Sequence, residues 1–226
     1  GWAWTRALVN IVSPEVHVCG DGSALDLIKD ILRLTGDDLE VKTYERMTEL
    51  TVEDRSISMR ELKKGDAVIV FSRRNALKYK AELEKMNFKV SVIYGMLSPE
   101  VRREQARKFD EGETDIIVST DAIAMGMNLP VRRIVFTSFS KFIDGREHPL
   151  SMSEIKQISG RAGRFKRFPV GFVNCLVSEQ NAQGISILRK ALHGNLEQKI
   201  FAMVGPDLEI FKSVNAALEE NKLRQL

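Results

Sequence analysis

Short apolar runs rich in β-branched residues alternate with amphipathic stretches along most of the chain. The apolar runs are VHVC (16–19), AVIVF (67–71), VSVIY (90–94), DIIVS (115–119), RRIVF (132–136) and GFVNCLV (171–177). Between them lie the helical patterns ALDLIKDILRL (24–34), NALKYKAELEKM (75–86), SPEVRREQARKF (98–109) and SEIKQISGRAGR (153–164). Strands that are apolar on both faces are typical of a parallel sheet covered by helices on both sides. The pattern therefore predicts an α/β sandwich.

Two of the predicted helices carry start signals. Ser98 precedes Pro99, a pair suited to the N-cap and first helical position, and Gly112 provides a stop. The segment Ser151 to Glu154 has the spacing of a capping box and begins the last of these helices.

The remaining segments lack apolar strand runs. Residues 36–56 are polar, with extended and turn character and no strong helical period, and are interpreted as a connection between units. After residue 177 the pattern is helical only, with AQGISILRKAL (182–192), LEQKIFAMV (196–204) and DLEIFKSVNAALEENKL (207–223). These predict a C-terminal helical extension.

Composition and charge narrow the class of protein. The chain has 226 residues, of which 43% are hydrophobic, and a formal charge of +3, which does not by itself indicate a polyanionic partner. Cys19 and Cys175 both lie in apolar runs and are interpreted as core residues, and the three histidines show no ligand spacing with them, so no metal site is expected. Cysteines that serve as core residues and not in a disulfide indicate that the protein works in a reducing compartment. The sequence shows no membrane-spanning run and no secretory signal.

Polar residues directly after the apolar runs are candidates for a ligand site, because ligands of such sheets bind beyond the carboxyl ends of the strands. Thr120 and Asp121 follow one run and could meet a phosphate, a ribose or an arginine, and Gly126 allows close backbone approach. Ser72 follows another run and starts a helix whose N-terminus can hold a phosphate, and Gly95 lies in a turn that exposes amides. Each of these residues could instead simply cap a helix or form a turn.

The segment QISGRAGRF (157–165) is the most specific of these signals. If the helix that starts at Ser151 runs through it, Gln157, Arg161 and Arg164 share one face at spacings i, i+4 and i+7. Glycines inside a helix cost about 1 kcal/mol each, so two of them indicate close approach of another surface or a ligand. Guanidinium groups grip phosphate oxygens with paired donors, as in phosphoryl-transfer enzymes.

The two motifs STDAIAMGMNL (119–129) and QISGRAGRF, in that order, resemble motifs V and VI of superfamily-two helicases. Further segments resemble the DExH-type RNA helicases of the mitochondrial degradosome and their bacterial relatives. These segments are GWAWTRAL, VHVCGD, VIVFS, VIYGMLSP and VRRIVF. The chain departs from the family pattern at Ala124, where glycine is commoner, and at Ser159, where other branches carry a larger residue.

The resemblance implies a RecA-like fold and a division into domains. Residues 1–50 would be the tail of a first RecA-like domain and its connection, residues 51–180 the second RecA-like domain, and residues 181–226 a helical extension. Residues 139–150 (FSKFIDGREHPL) lie where related helicases carry a strand-separating hairpin, and the Asp-Gly pair within them is a turn signal. A plain connection is the alternative.

The resemblance also assigns roles in binding ATP, with Mg²⁺, and single-stranded RNA. Arg164 would be the arginine finger and Arg161 a γ-phosphate contact, with Gln157 facing the nucleotide and Asp121 and Gly126 bordering the same cleft. The phosphates of the RNA, or of DNA as the alternative, would be held by Thr120, Ser72 and the amides near Gly95.

The phosphate-binding loop G-x-x-x-x-G-K-[ST] is absent from this sequence, because no glycine is followed by lysine. The acidic run from Asp110 to Glu113 follows a helix and is interpreted as a solvated helix end, not a magnesium-binding box. ATP and Mg²⁺ would therefore be held mainly by a first domain, and the chain, which starts without methionine, is expected to be a fragment without ATPase activity of its own. A nuclease is a further expected partner. The expected location is the cytoplasm in a bacterium and the mitochondrial matrix in a eukaryote.

Two function classes remain open at this point. The first is the second motor domain of an ATP-dependent RNA helicase. The second is a stand-alone module that binds nucleic acid or a partner protein without ATP, although Gln157 and Asp121 would then have little use. A dinucleotide-binding oxidoreductase is disfavoured because the chain lacks a G-x-G-x-x-G motif after a strand.

Overall fold

The computed structural model describes residues 2–124, 129–164, 167–203 and 205. Two compact units divide the chain, Tyr44–Asn195 and a unit of Gly1–Thr43 with Leu196–Leu226. They are called the sheet unit and the terminal unit. The described strands are β1 (Glu49–Val52), β2 (Asp66–Ile69), β3 (Val90–Ile93), β4 (Ile116–Ser119), β5 (Arg133–Phe136), β6 (Ser140–Ile143), β7 (Arg146–Pro149) and β8 (Val170–Cys175). The described α-helices are α1 (Trp2–Asn10), α2 (Leu25–Thr35), α3 (Arg73–Lys85), α4 (Pro99–Asp110), α5 (Met152–Ser159) and α6 (Gly184–His193).

A six-stranded, all-parallel sheet forms the centre of the sheet unit. Its strand order is β1-β8-β5-β2-β4-β3. The four strands β2, β3, β4 and β5 are buried along their whole length, as expected of strands covered on both faces. The predicted parallel α/β sheet is confirmed.

Helices cover both faces of this sheet. On one face Phe109 of α4, Ile155 of α5 and Leu188 of α6 join one apolar cluster. On the other face Ala76 and Leu83 of α3 join a second cluster. Each fully buried aliphatic side chain contributes about 1.5–3 kcal/mol, so the two layers of core account for much of the stability of the fold. The predicted sandwich of helices around a sheet is confirmed.

The start signals seen in the sequence act as expected. Ser98 caps α4 by accepting the N–H of Val101 at 3.4 Å, with Pro99 at the first helical position. Ser151 accepts the N–H of Glu154 at 3.3 Å, and the Glu154 carboxylate accepts the N–H of Ser151 at 2.9 Å. Burial would raise the pKa of Glu154, but its hydrogen bonds with Lys141 and Ser151 bring that pKa below the ordinary value. A charged Glu154 therefore completes the capping box.

A buried ionic cluster lies at the amino ends of β2 and β5. Asp66 is fully buried, and its carboxylate pairs with Arg133 at 2.6 Å and with Arg132 at 2.7 Å. Arg133 also pairs with Glu53 at 3.0 Å, beyond the end of β1. Because each buried charge has partners, the cluster ties three strands together at this edge of the sheet.

The polar segment 36–56 contains a strand that its composition did not predict. Strand β1 lies within it at the edge of the sheet and pairs only with β8, from Glu49 opposite Val170 to Val52 opposite Val173. An edge strand has one neighbour and a partly exposed surface, so it lacks the continuous apolar run of a central strand. The interpretation of the whole segment as a connection was wrong.

Residues 139–150 contain an antiparallel hairpin of β6 and β7. Its turn consists of Asp144 at φ 50° and Gly145 at φ 75°, the left-handed pair that a two-residue hairpin turn requires. The side chain of Phe142 is 72% exposed on this hairpin. The turn signal is confirmed.

Helix α6 confirms the first of the three helices predicted after residue 177, but the second predicted helix is wrong. Residues 195–203, which include most of LEQKIFAMV, contain no helix. Ile200 is 76% and Phe201 81% exposed, so no packing stabilises a segment that is too short to be helical alone. The third predicted segment, 207–223, lies outside the described residues.

The terminal unit contains α1 and α2, the latter as predicted from residues 24–34. The predicted strand VHVC is wrong, because residues 16–19 pair with no described strand and Val18 is 54% exposed. Cys19 is exposed, so its interpretation as a core residue is also wrong. Cys175 is buried as predicted, and burial raises the pKa of its thiol to about 11. Among the described residues, no helix is both long and apolar enough to cross a bilayer.

Candidate functional site

Three of the predicted phosphate-binding residues lie at one edge of the sheet. Ser72 follows β2, Gly95 follows β3 and Thr120 follows β4. Strand β4 pairs with both β2 and β3, and the N–H of Thr120 donates to the carbonyl of Ile93 at 3.0 Å. The parallel sheet therefore gathers these residues at its carboxyl edge, as the sequence predicted.

The side chains at this edge also have structural roles. Ser72 is exposed, and its hydroxyl accepts the N–H of Asn75 at 3.1 Å as the N-cap of α3. Thr120 is only 9% exposed, and its hydroxyl accepts the N–H of Ala122 at 3.3 Å. A hydroxyl that accepts one bond can still donate its own proton to a phosphate oxygen. Gly95 is exposed with open space beside its backbone, so a ligand can reach its amide.

Residues 160–164 are called the arginine segment. The sequence predicted that a helix runs through them, but the observed helix ends before them. Helix α5 ends at Ser159 with Gly160 as its C-cap, and Ala162 then pairs in parallel with Val131. Gly163 has φ +80° and donates its N–H to the Val131 carbonyl at 2.8 Å. A left-handed residue cannot continue a helix, so Gln157, Arg161 and Arg164 do not share one helical face. That part of the prediction was wrong.

The second glycine of this segment allows close packing against strand β8. A Cβ atom on Gly171 would lie 2.4 Å from the carbonyl carbon of Ala162 and 2.6 Å from the nitrogen of Gly163. A Cβ atom on Gly163 would lie 3.0 Å from the nitrogen of Gly171. The close approach inferred from the glycines is therefore real, and its partner is backbone of the same chain.

Arg161 connects the two motifs. Its Nη2 atom donates to the carbonyl of Ala124, at the end of the short turn Asp121–Ala124 that follows β4. Asp121 is exposed at the start of that turn, and Gln157 is exposed on α5 one turn before Arg161. The alanine that departs from the family pattern thus contributes only its backbone carbonyl to this bond. Gly126 lies outside the described residues.

Arg164 lies apart from the carboxyl edge. The arginine segment reaches Val131, just before β5, and Gly171, at the start of β8, so it ends at the amino edge of the sheet. There Arg164 Nη1 lies 3.5 Å from Asp110 Oδ1, at the end of α4, and Arg167 Nη1 lies 2.7 Å from the same oxygen. Asp110 is a helix end, as predicted. The structure therefore joins Arg161, but not Arg164, to the segment after β4.

Sequence reasoning missed Arg46, which lies in the segment interpreted as a connection. Its guanidinium donates to the carbonyls of Gly160, at 3.1 Å, and Ala162, and to that of Thr48 at 2.8 Å. Partial burial lowers the pKa of Arg46, but an arginine remains charged at neutral pH. Nothing in its local sequence signals the contacts with Gly160 and Ala162, because these residues lie more than a hundred positions away.

The side chains around the arginine segment fit phosphate oxygens better than a metal ion. Guanidinium groups offer several N–H donors in a plane, which match phosphate oxygens. Over the described residues, no group of three or more His, Cys, Asp and Glu side chains could hold a metal ion. The donors present here therefore suit phosphate oxygens.

A model described as "Helicase conserved C-terminal domain" matches residues 44–166, which include every site residue predicted from the sequence. The chain belongs to this helicase family. A second model, described as "DEXQ-box helicase domain of Suv3", matches residues 1–44. The resemblance to superfamily-two helicases seen in motifs V and VI is confirmed.

Curated helicases from three organisms are similar to this helicase chain. It is 44% identical over 219 residues to the ATP-dependent RNA helicase SUV3, mitochondrial, of Saccharomyces cerevisiae, covering 93% of this chain and 29% of that protein. It is 44% identical over 184 residues to the mitochondrial helicase DExH16 of Arabidopsis thaliana, covering 79% of this chain and 32% of the relative. The mitochondrial helicase SUPV3L1 of Gallus gallus is 37% identical over 95% of this chain and 30% of its own length. The chain thus spans less than a third of these relatives.

Solved structures of the Saccharomyces cerevisiae protein Dbp5 share the fold. A variant bound to Gle1 and IP6 superposes with a TM-score of 0.54 at 16% identity, covering 86% of this chain and 52% of the other. A second structure, bound to RNA and ADP BeF3, gives 0.50 at 15% identity, covering 86% and 53%. The RecA-like fold of the sheet unit is confirmed.

Proposed function

We propose that this chain supplies the second RecA-like motor domain of an ATP-dependent RNA helicase, with residues 51–180 as that domain. ATP hydrolysis would be coupled to movement along a single strand and to duplex unwinding. The observation that carries the proposal is the hydrogen bond from Arg161 to Ala124, because it connects the arginine segment to the strand end that carries Thr120. The similar proteins of yeast and chicken are named ATP-dependent RNA helicases, which supports the same activity here.

The nucleotide role falls to the arginine segment. Arg164 would stabilise the charge on the transferring phosphoryl group, and Arg161 would contact the γ-phosphate, with Gln157 facing the nucleotide. Arg164 would have to leave Asp110, but a partly exposed pair at 3.5 Å contributes at most about 1 kcal/mol. Exchanging Asp110 for a phosphate as the partner of Arg164 therefore costs little free energy.

The ATP itself and its Mg²⁺ would be held mainly by a first RecA-like domain, which is the principal protein partner. Asp121 and Gly126 would border the cleft between the two domains. Residues 1–50 would belong to the first domain and its connection, which the match of residues 1–44 to a DEXQ-box domain supports. Residues 181–226 would form a helical extension.

In this proposal, residues at the carboxyl edge of the sheet bind the nucleic acid. The hydroxyl groups of Ser72 and Thr120 and the backbone amides near Gly95 would donate to phosphates of single-stranded RNA, with DNA as a second possible strand. Phosphate contacts of this kind position a strand without reading its sequence. The relatives are named mitochondrial, which supports the mitochondrial matrix as the location in a eukaryote, with the cytoplasm as the location in a bacterium and a nuclease as a further partner.

ATPase activity tests this proposal directly. The chain alone is expected to hydrolyse no ATP above background, and a protein that joins it to a complete first RecA-like domain is expected to hydrolyse ATP faster when single-stranded RNA is added. The measurement is phosphate release with and without RNA. A joined protein that binds RNA but never hydrolyses ATP would support the alternative of a nucleic-acid-binding module.

The salt dependence of RNA binding tests the carboxyl edge. Because the proposed donors are neutral and release no counterions, single-stranded RNA should bind weakly, with a slope of log affinity against log salt shallower than the value of about −2 that three cationic phosphate contacts would give. Ser72→Ala should weaken binding about tenfold, since it removes one donor to a charged oxygen, and leave the slope unchanged. Fluorescence anisotropy against KCl concentration measures both.

Ser151→Ala is the matched control for this substitution, because it also removes an N-cap serine but caps α5, which does not follow β2, β3 or β4. Its RNA affinity should equal that of the unmodified protein. Equal losses of RNA affinity in the two variants would exclude the phosphate contact at Ser72.

A further inference from the structure

The arginine segment lacks the hydrogen bonds that a continuous helix would give it. The last four carbonyls of any helix have no partner within the helix. Here the chain also turns away after Ser159, so the carbonyls of Gly160 and Ala162 point away from the helical ladder. Arg46 supplies donors to both, from Nη1 and Nη2.

The Arg46 side chain is itself held in place. Its Nε donates to the carbonyl of Thr48 at 2.8 Å and lies 3.2 Å from the Thr48 hydroxyl, and Thr48 is buried just before β1. Each of the three guanidinium nitrogens thus donates to a backbone carbonyl, one next to β1 and two in the arginine segment. Arg46 is thus anchored next to the edge strand β1, and from there it holds the backbone of the arginine segment.

We propose that Arg46 is a positioning residue for ATP hydrolysis, which fixes the backbone between Arg161 and Arg164. Its bonds to Gly160 and Ala162 flank Arg161 on both sides, and Arg164 follows two residues later. Both guanidiniums then extend from a backbone that cannot rotate freely. This inference rests on the proposed function, because only phosphoryl transfer gives these two arginines a common task.

Lysine at position 46 cannot replace this contact. A guanidinium presents five donors in a rigid plane, whereas an ammonium group is a single point with rotating protons. The three acceptor groups of Arg46 lie around that plane, so lysine would reach one or two of them at a time. Arg46→Lys should therefore restore part of the function that Arg46→Ala loses.

Steady-state kinetics of the helicase that joins this chain to its first domain test the proposal. Arg46→Ala should lower kcat for RNA-stimulated ATP hydrolysis about 10- to 100-fold, because small misplacements of catalytic groups have effects of this size. The KM for ATP should change less than about threefold if the arginines act mainly in the transition state. The kcat of Arg46→Lys should lie between that of Arg46→Ala and that of the unsubstituted protein. The RNA affinity without nucleotide should be unchanged in both variants.

Arg55→Ala is the matched control, because Arg55 lies nine positions away in the same polar region, with a side chain that is 74% exposed. It should have normal kcat. Combining Arg46→Ala with Arg164→Ala should give a smaller loss than the product of the two single losses, because Arg46 acts partly through Arg164. Full multiplication of the two losses, or a kcat loss that disappears once unfolded protein is subtracted, would overturn the positioning role.

Amide hydrogen exchange separates this inference from the proposed function. In Arg46→Ala the amides of Gly163 and Arg164, which bond to Val131 and Phe168, should exchange about tenfold faster, and in Arg55→Ala they should not. Unchanged exchange in Arg46→Ala overturns the role of Arg46, even if the joined protein without substitutions shows RNA-stimulated ATPase activity. Faster exchange in a protein without any RNA-stimulated ATPase would instead overturn the proposed function, and with it any role of Arg46 in hydrolysis.

Discussion

Arg164→Ala, in a helicase that joins this chain to a first RecA-like domain, is expected to lower kcat for RNA-stimulated ATP hydrolysis by about 1,000-fold, with a much smaller effect on RNA affinity. An arginine finger acts on charge that develops in the transition state and contributes this much to phosphoryl transfer. In the structure the Arg164 guanidinium is partly exposed, and its ion pair with Asp110 is weak, with 3.5 Å between Nη1 and Oδ1. Little free energy is therefore lost when Arg164 leaves Asp110 for a phosphate. Phosphate release under saturating ATP and RNA measures the effect.

Arg167→Ala is the control for this prediction. Arg167 pairs with the same Asp110 oxygen, at 2.7 Å, but lies on the surface beyond the arginine segment. Its loss should change kcat less than about twofold. If Arg164→Ala keeps normal turnover while Arg161→Ala loses it, the finger is Arg161.

Gly171→Ala is expected to destabilise the sheet unit by about 3 kcal/mol or more, the size of a severe core defect. The added Cβ would lie 2.4 Å from one backbone atom of Ala162 and 2.5 Å from another, and backbone cannot move aside as a side chain can. The arginine segment would have to separate from β8, so ATPase activity should fall as well. Urea unfolding of this chain, followed by circular dichroism, measures the loss of stability.

Gly95→Ala provides the comparison. A Cβ atom on Gly95 would meet nothing within 4 Å. Its free energy of unfolding should stay within about 0.5 kcal/mol of the unmodified chain. A similar, small effect in both variants would show that the contact between Gly171 and the arginine segment is looser than the structure describes.

The sheet was predictable from the sequence because its central strands are buried on both faces and read as continuous apolar runs. The edge strand β1 was not, since its residues face solvent on one side and depend on β8 for pairing. The run VHVC shows the opposite error. It has the composition of a buried strand, but composition does not reveal whether a neighbouring strand is present.

The site was predictable where chemistry follows the end of a strand. Ser72, Gly95 and Thr120 lie together because parallel strands end at one edge, a rule that needs no knowledge of side-chain contacts. The end of α5 could not be predicted. The left-handed conformation of Gly163 depends on backbone contact with Gly171, eight residues further along the chain, and the contacts of Arg46 depend on a still more distant segment.

The two edges of the sheet differ in how much the fold depends on them. The amino edge contains the buried charges of Asp66 and Arg133 and the glycine contact between Gly163 and Gly171, so most changes there disturb packing. At the carboxyl edge Ser72 and Gly95 are exposed and contribute little to the core. Protein engineers can therefore vary the loops after β2 and β3 with little risk to the fold, while the arginine segment should be left intact.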